Sequence, residues 1–144
     1  MNYFILCEDS AAGRCLSISE TEHVVSSGQV ELAFDEPYSV FTEIAAKVRC
    51  AKVFYNGTAI ADRAELSLTA SKNSIVADGV DASVISGIPA GAQVAIWSED
   101  REDSVLTADG SDLTVSSNEA VNLTVFVKLW PHVTTSIGVE VVEP

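Results

Sequence analysis

The chain has 144 residues, 47 % of them apolar and 20 % charged, with a formal net charge of −13. That apolar share excludes intrinsic disorder, and the length supports a core without help from a metal or a disulfide. The acidity excludes nucleic acid and anionic membrane as partners, because both repel a surface of their own sign.

The negative charge is unevenly spread. Residues 1–64 hold five Lys/Arg and nine Asp/Glu, and residues 65–144 hold three and twelve. No apolar run is long enough for a membrane helix. The first ten residues, MNYFILCEDS, have no basic segment before their apolar stretch. They do not read as a signal peptide, so the expected place of synthesis is the cytoplasm.

In chain order, Tyr3–Cys7, Arg14–Ile18 and Val30–Phe34 read as strands. Asp35-Glu36-Pro37 then resembles a helix start, a cap residue followed by proline in the first turn. Tyr38, Phe41, Ile44, Ala45 and Val48 follow at helical spacing, which predicts one short helix around Tyr38–Lys47. An edge strand is the competing reading there, because Val40, Phe41 and Thr42 favour extended backbone. Lys52–Tyr55 is a strand, and Asn56-Gly57 is the strongest hairpin signal in the chain. Ala61–Ala64 is the expected boundary between a β-rich first domain, 1–64, and a second domain, 65–144.

The second domain alternates more clearly. Glu65–Ala70, Asn73–Ala77, Val80–Ser86, Ala92–Ser98, Ser104–Thr107, Asp112–Ser116, Val121–Trp130 and Thr134–Val142 are apolar runs separated by turn signals at Asp78-Gly79, Gly87–Gly91 and Asp109-Gly110. Glu99–Asp103 reads as a charged hairpin tip. Short strands spaced this way predict an antiparallel β-sandwich. The fold class is thus mainly β, an immunoglobulin-like sandwich preceded by a smaller, mostly β domain with one helix.

Few residues invite chemistry. His23 and His132 lie in no nucleophile-elbow context, and there is no GxSxG, P-loop or GxGxxG. Glu99, Asp100, Glu102 and Asp103 cluster carboxylates, but without the glycine and spacing of a calcium loop. Cys7, Cys15 and Cys50 are odd in number and lack CxxC spacing, so they read as small apolar residues rather than as a disulfide framework or zinc site. No catalytic residue, cofactor or metal is expected. Trp97 follows Val94–Ile96 and faces outward if those face inward. Trp130-Pro131 ends the longest strand.

The segment Leu68–Gly87 carries Ala77-Asp78-Gly79 followed by an alternating strand, with Ile88-Pro89 beyond it. It resembles the opening of bacterial immunoglobulin-like repeats of the invasin and intimin type. Similar modules occur in tail and other virion proteins of tailed bacteriophages. The resemblance covers the second domain only and carries over no catalytic residue. It implies a non-enzymatic structural protein of a virion, in the tail, baseplate, fibre-attachment region or as a decoration. The expected partners are other virion proteins, met in many copies, and no nucleic acid or membrane. Phe34, Tyr38, Phe41 and Phe54 are the docking candidates in the first domain, and Trp97 and Trp130 in the second. The alternative is an adhesive module binding a surface glycan, for which Trp97 and Trp130 would supply the rings.

Overall fold

A computed structural model of the chain describes all 144 residues, as two units, Met1–Arg63 and Ala64–Pro144. The protein is mainly β, with thirteen strands and one helix. No helix is long and apolar enough to cross a membrane.

Unit 1 contains β1 (Asn2–Glu8), β2 (Gly13–Ser19), β3 (Gln29–Asp35), α1 (Tyr38–Arg49), β4 (Val53–Tyr55) and β5 (Ile60–Asp62). The strands form one antiparallel sheet in the order β3-β1-β2-β4-β5. Alternation along β1 buries Tyr3, Ile5 and Cys7 on one face. The helix covers that face. Its Phe41, Ile44 and Val48, spaced as one helical stripe, pack with Tyr3, Ile5, Val53 and Tyr55.

The predicted helix is present and runs two residues beyond Lys47. Its start differs from expectation. Pro37 is the N-cap, without a side-chain cap bond, while Asp35 ends β3 and pairs with the chain's amino group at 3.3 Å. The far end is closed by backbone alone. Ala51 takes φ +53°, its amide reaches the Val48 carbonyl, and the Lys52 amide reaches that of Lys47. Asn56-Gly57 opens a four-residue loop. The Asn56 side chain accepts the amides of Thr58 and Ala59, and Gly57 sits at φ +93°. The return strand β5 lies where the domain boundary was expected, and the division falls after Arg63.

Unit 2 contains β6 (Thr69–Ala70), β7 (Ser74–Val76), β8 (Ser83–Ser86), β9 (Gln93–Ser98), β10 (Arg101–Thr107), β11 (Leu113–Val115), β12 (Asn122–Lys128) and β13 (Thr135–Val142). One sheet runs β10-β9-β12-β13-β7 and the other β11-β8-β6. Their inner faces share one core, in which Ile75, Ile85, Val94, Val125, Val127 and Val139 are essentially inaccessible. This is a two-sheet β-sandwich whose first strand is divided: β6 pairs antiparallel with β8, and β7 pairs parallel with β13.

Ser83 makes that division possible. It is fully buried, its hydroxyl donates to the Lys72 carbonyl at 2.6 Å, and its oxygen accepts the Lys72 amide at 3.2 Å. The chain can therefore leave one sheet for the other at Lys72 without leaving backbone groups unpaired. The Asp78-Gly79 turn that follows is held by Asp78 Oδ1, which accepts the amides of Val80 and Asp81. Gly87 has φ +91°, and a Cβ there would fall on the Ser67 carbonyl oxygen. The breaker cluster read from sequence is thus a close backbone approach that needs glycine.

One reading is corrected. The acidic tip is only Glu99-Asp100, with Glu99 at φ +52°. Arg101, Glu102 and Asp103 already belong to β10. Asp103 is the extra residue of a β-bulge between Glu102 and Ser104, and it is held by Ser98 Oγ and by Arg101 Nε at 2.9 Å. Those contacts satisfy its carboxylate.

Two predictions follow from unit 2. Ser83→Ala removes the side-chain partner of both backbone groups of Lys72 and lowers stability by about 1–3 kcal/mol. A fall in the urea midpoint at unchanged slope checks it. Four aspartates have lowered pKa values: Asp78 through backbone amides, Asp81 through Lys72, Asp103 through Ser98, and Asp109 through Ser111. A lowered native pKa stabilises the fold above the ordinary aspartate range and is lost as protons return below it. The urea midpoint of the sandwich should therefore fall as pH drops below about 4, the ordinary range. A flat profile from neutral pH down to pH ~2 would contradict it.

Candidate functional site

The five-stranded sheet of unit 2 has one face in the core and one outside. On β12, Leu123, Val125 and Val127 are buried, which turns Thr124, Phe126 and Lys128 outward. Register then fixes their neighbours. Thr124 lies opposite Trp97, Phe126 opposite Ala95, and Ala95 opposite Val105. Trp97, Ala95, Val105 and Phe126 therefore form one outward apolar patch across three strands.

Phe126 is 38 % exposed and Val105 is 61 % exposed. The Trp97 and Phe126 rings meet edge to face, with centroids 6.0 Å apart. Together with Gln93, Glu102, Lys128 and Thr134 they line a shallow hollow of about 360 Å³. Glu102 and Lys128 supply one charge of each sign at its edge.

Trp130 is not part of this patch. It lies six residues from Thr124, the partner of Trp97, which is roughly 20 Å along the chain. It stands beyond the end of β12, where a cis Trp130–Pro131 bond and the His132 amide, donating to the Leu129 carbonyl, form a turn. The two tryptophans do not make a common platform.

The first-domain candidates separate in the same way. Phe34 stacks on Tyr3 with centroids 5.0 Å apart, and Phe41 lies 5.4 Å from Tyr3. Both rings are spent inside unit 1. Burial, and secondarily the charge of Glu36, push the Tyr3 phenol up. Tyr38 is 66 % exposed and touches only the rim of this cluster, through Phe41. Phe54 lies between buried Val53 and Tyr55, so it points to the helix-free face and is half-buried there.

That helix-free face holds a constellation the sequence did not reveal. His23 Nδ1 is 2.8 Å from Glu31 Oε2, and His23 Nε2 is 3.1 Å from Ser17 Oγ. The same Glu31 oxygen accepts the His23 amide at 2.5 Å. The spacing is that of a Ser–His–carboxylate relay. Its placement explains its role differently. Ser17 and Glu31 both pair with Leu6, one from each side, so the imidazole must bridge over Leu6. Only 14 % of the His23 side chain is exposed. The ring is a clasp that fixes the connection between β2 and β3 to the sheet and shields Leu6. No local signal could have found it, since the three residues join only through strand register.

No protein-family model, curated protein or solved structure matches the chain. Replacing His23 by Ala removes the clasp and leaves the opposite face of the sheet intact. Amide exchange across residues 20–28 should rise by about 10-fold or more, the scale of one charge-assisted hydrogen bond. Exchange in β1 at Ile5 should not change. Equal acceleration at both places would show that the clasp supports the whole unit.

Proposed function

We propose that this chain is a non-enzymatic structural protein of a tailed-phage virion that docks onto other virion proteins through the outer face of the five-stranded sheet. The single observation that carries the docking is the patch of Trp97, Phe126, Val105 and Ala95 on that face. An aromatic pair at the centre of a largely uncharged surface is the usual anchor of a protein–protein contact. The virion assignment rests on the resemblance of Leu68–Gly87 to phage immunoglobulin-like modules, and so stays at the level of fold analogy. Assembly in many copies would let modest individual contacts add up.

The glycan-binding alternative loses the feature that first motivated it, since Trp97 and Trp130 are far apart. Trp97 also has its ring edge engaged by Phe126.

The test is binding of the purified chain to purified particles or their tail and capsid components, measured by biolayer interferometry. Trp97→Ala and Phe126→Ser should each weaken binding by about 30-fold, as central aromatic anchors do. Tyr38→Ala should leave it within a factor of about 2, the range of ordinary surface changes. Loss of binding to a bacterial glycan array in Trp97→Ala, with no particle binding by the wild type, would overturn the proposal.

A further inference from the structure

Two of the three cysteines meet. Cys7 on β1 and Cys15 on β2 are register partners, and their sulfur atoms lie 3.6 Å apart. A regular hairpin would not do this. The pairing runs Phe4–Ser19, Ile5–Ile18 and Leu6–Ser17, so the next partner of Cys7 would be Leu16. A slip of one residue turns a side chain to the other face of a sheet. The chain instead inserts Leu16 as a bulge, which leaves it 45 % exposed and brings Cys15 round to the face that Cys7 occupies. An exposed leucine is thus the cost of setting two thiols side by side.

We propose that Cys7 and Cys15 form a reversible cross-strand disulfide. Directly opposed residues of antiparallel strands have Cα atoms about 4.5–5.5 Å apart, inside the range a disulfide spans. The sulfur atoms need only close from 3.6 Å to about 2.05 Å.

The roles of the two thiols are unequal. Cys7 is fully buried and donates its S–H to Cys15. That bond, then burial and the neighbouring charge, push the Cys7 thiol up, and the same bond holds the Cys15 thiol down. Cys15 is partly exposed, so it is the sulfur that an oxidant reaches first.

With a small-molecule disulfide as oxidant, the Cys15 thiolate attacks one of its sulfurs, forming a mixed disulfide and releasing one thiolate. Cys7 then gives up its proton, attacks the Cys15 sulfur and expels the second thiolate. The two protein thiols are oxidised to one disulfide, and the small-molecule disulfide is reduced to two thiols. Cys50, exposed at the end of α1, takes no part. The inference is independent of the docking proposal, because it concerns the isolated chain.

The folded chain is incubated with oxidised glutathione without denaturant, and the free thiols are then alkylated. In the wild type the Cys7 and Cys15 thiols should be lost, leaving at most the Cys50 thiol; because glutathione also caps exposed Cys50, the Cys50→Ser variant gives the clean count. In Cys50→Ser no thiol should remain, and the intact mass should drop by two hydrogens. Trypsin cuts after Arg14, between the two cysteines, so the unreduced digest should link the peptide Met1–Arg14 to the peptide Cys15–Lys47. Dithiothreitol should restore both thiols. Glutathione retained on Cys15 with Cys7 still alkylated, or two unreacted thiols in Cys50→Ser, would overturn the proposal.

Discussion

The constraint on which both units depend is strand register. A strand turns alternate residues to opposite faces, so burying one set fixes the exposure of the other. On β12 the burial of Leu123, Val125 and Val127 leaves no freedom over Phe126. Its neighbours on β9 and β10 are set by the same ladder. The outward aromatic patch is therefore a consequence of how the core is formed. Moving Trp97 inward would move Val94 and Ile96 out. The chain carries the Trp97–Phe126 pair on a surface where neither ring supports the sandwich core, and this is why a partner is the economical reading of it.

Register acts in unit 1 through its one interruption. The helix packs on one face of the sheet, and on the other the His23 imidazole is held between Ser17 of β2 and Glu31 of β3. The bulge at Leu16 shifts the pairing by one residue at the hairpin end of β1 and β2, beyond the clasp. Ser17 and Glu31 therefore stay on the Leu6 row, while Cys15 joins Cys7 on the helix side. One inserted residue keeps both arrangements, the hydrogen-bonded clasp on one face and the thiol pair on the other.

Much of this was legible in the sequence, and the exceptions share a cause. Alternation indicates the sandwich, and an outward Trp97 once Val94 and Ile96 face inward, while helical spacing through Phe41, Ile44 and Val48 favours α1 over the competing edge strand. The errors fall where non-local pairing or backbone geometry decides. Alternation over Glu65–Ala70 suggests a long strand, but only Thr69 and Ala70 pair with β8, while Glu65 bridges Val133 and the Leu66 amide donates to Thr135 Oγ1. The helix closes at Ala51 in a conformation that composition assigns to glycine. Charge made Glu99–Asp103 look like a loop, whereas the bulge at Asp103 lets charged residues occupy an edge strand. Phe34 and Phe41 looked like docking residues because hydrophobicity alone does not distinguish a core ring from a surface one. Ser17, His23 and Glu31 carried no signal, since nothing local connects them.

Charge placement bears on what kind of partner suits the patch. The chain carries −13, and like copies repel one another at any distance within the screening length. The outward rows around Phe126 are different. Gln93, Thr107, Thr124 and Ser136 are neutral, and the hollow's only charged residues, Lys128 beside Gln93 and Glu102 beside Trp97, stand at its opposite ends. A partner covering Trp97 and Phe126 thus desolvates few charges. Repulsion elsewhere disfavours a second copy of the chain on this face, while the face itself stays cheap to bury. That combination suits a different protein, held by aromatic anchors, better than it suits self-association.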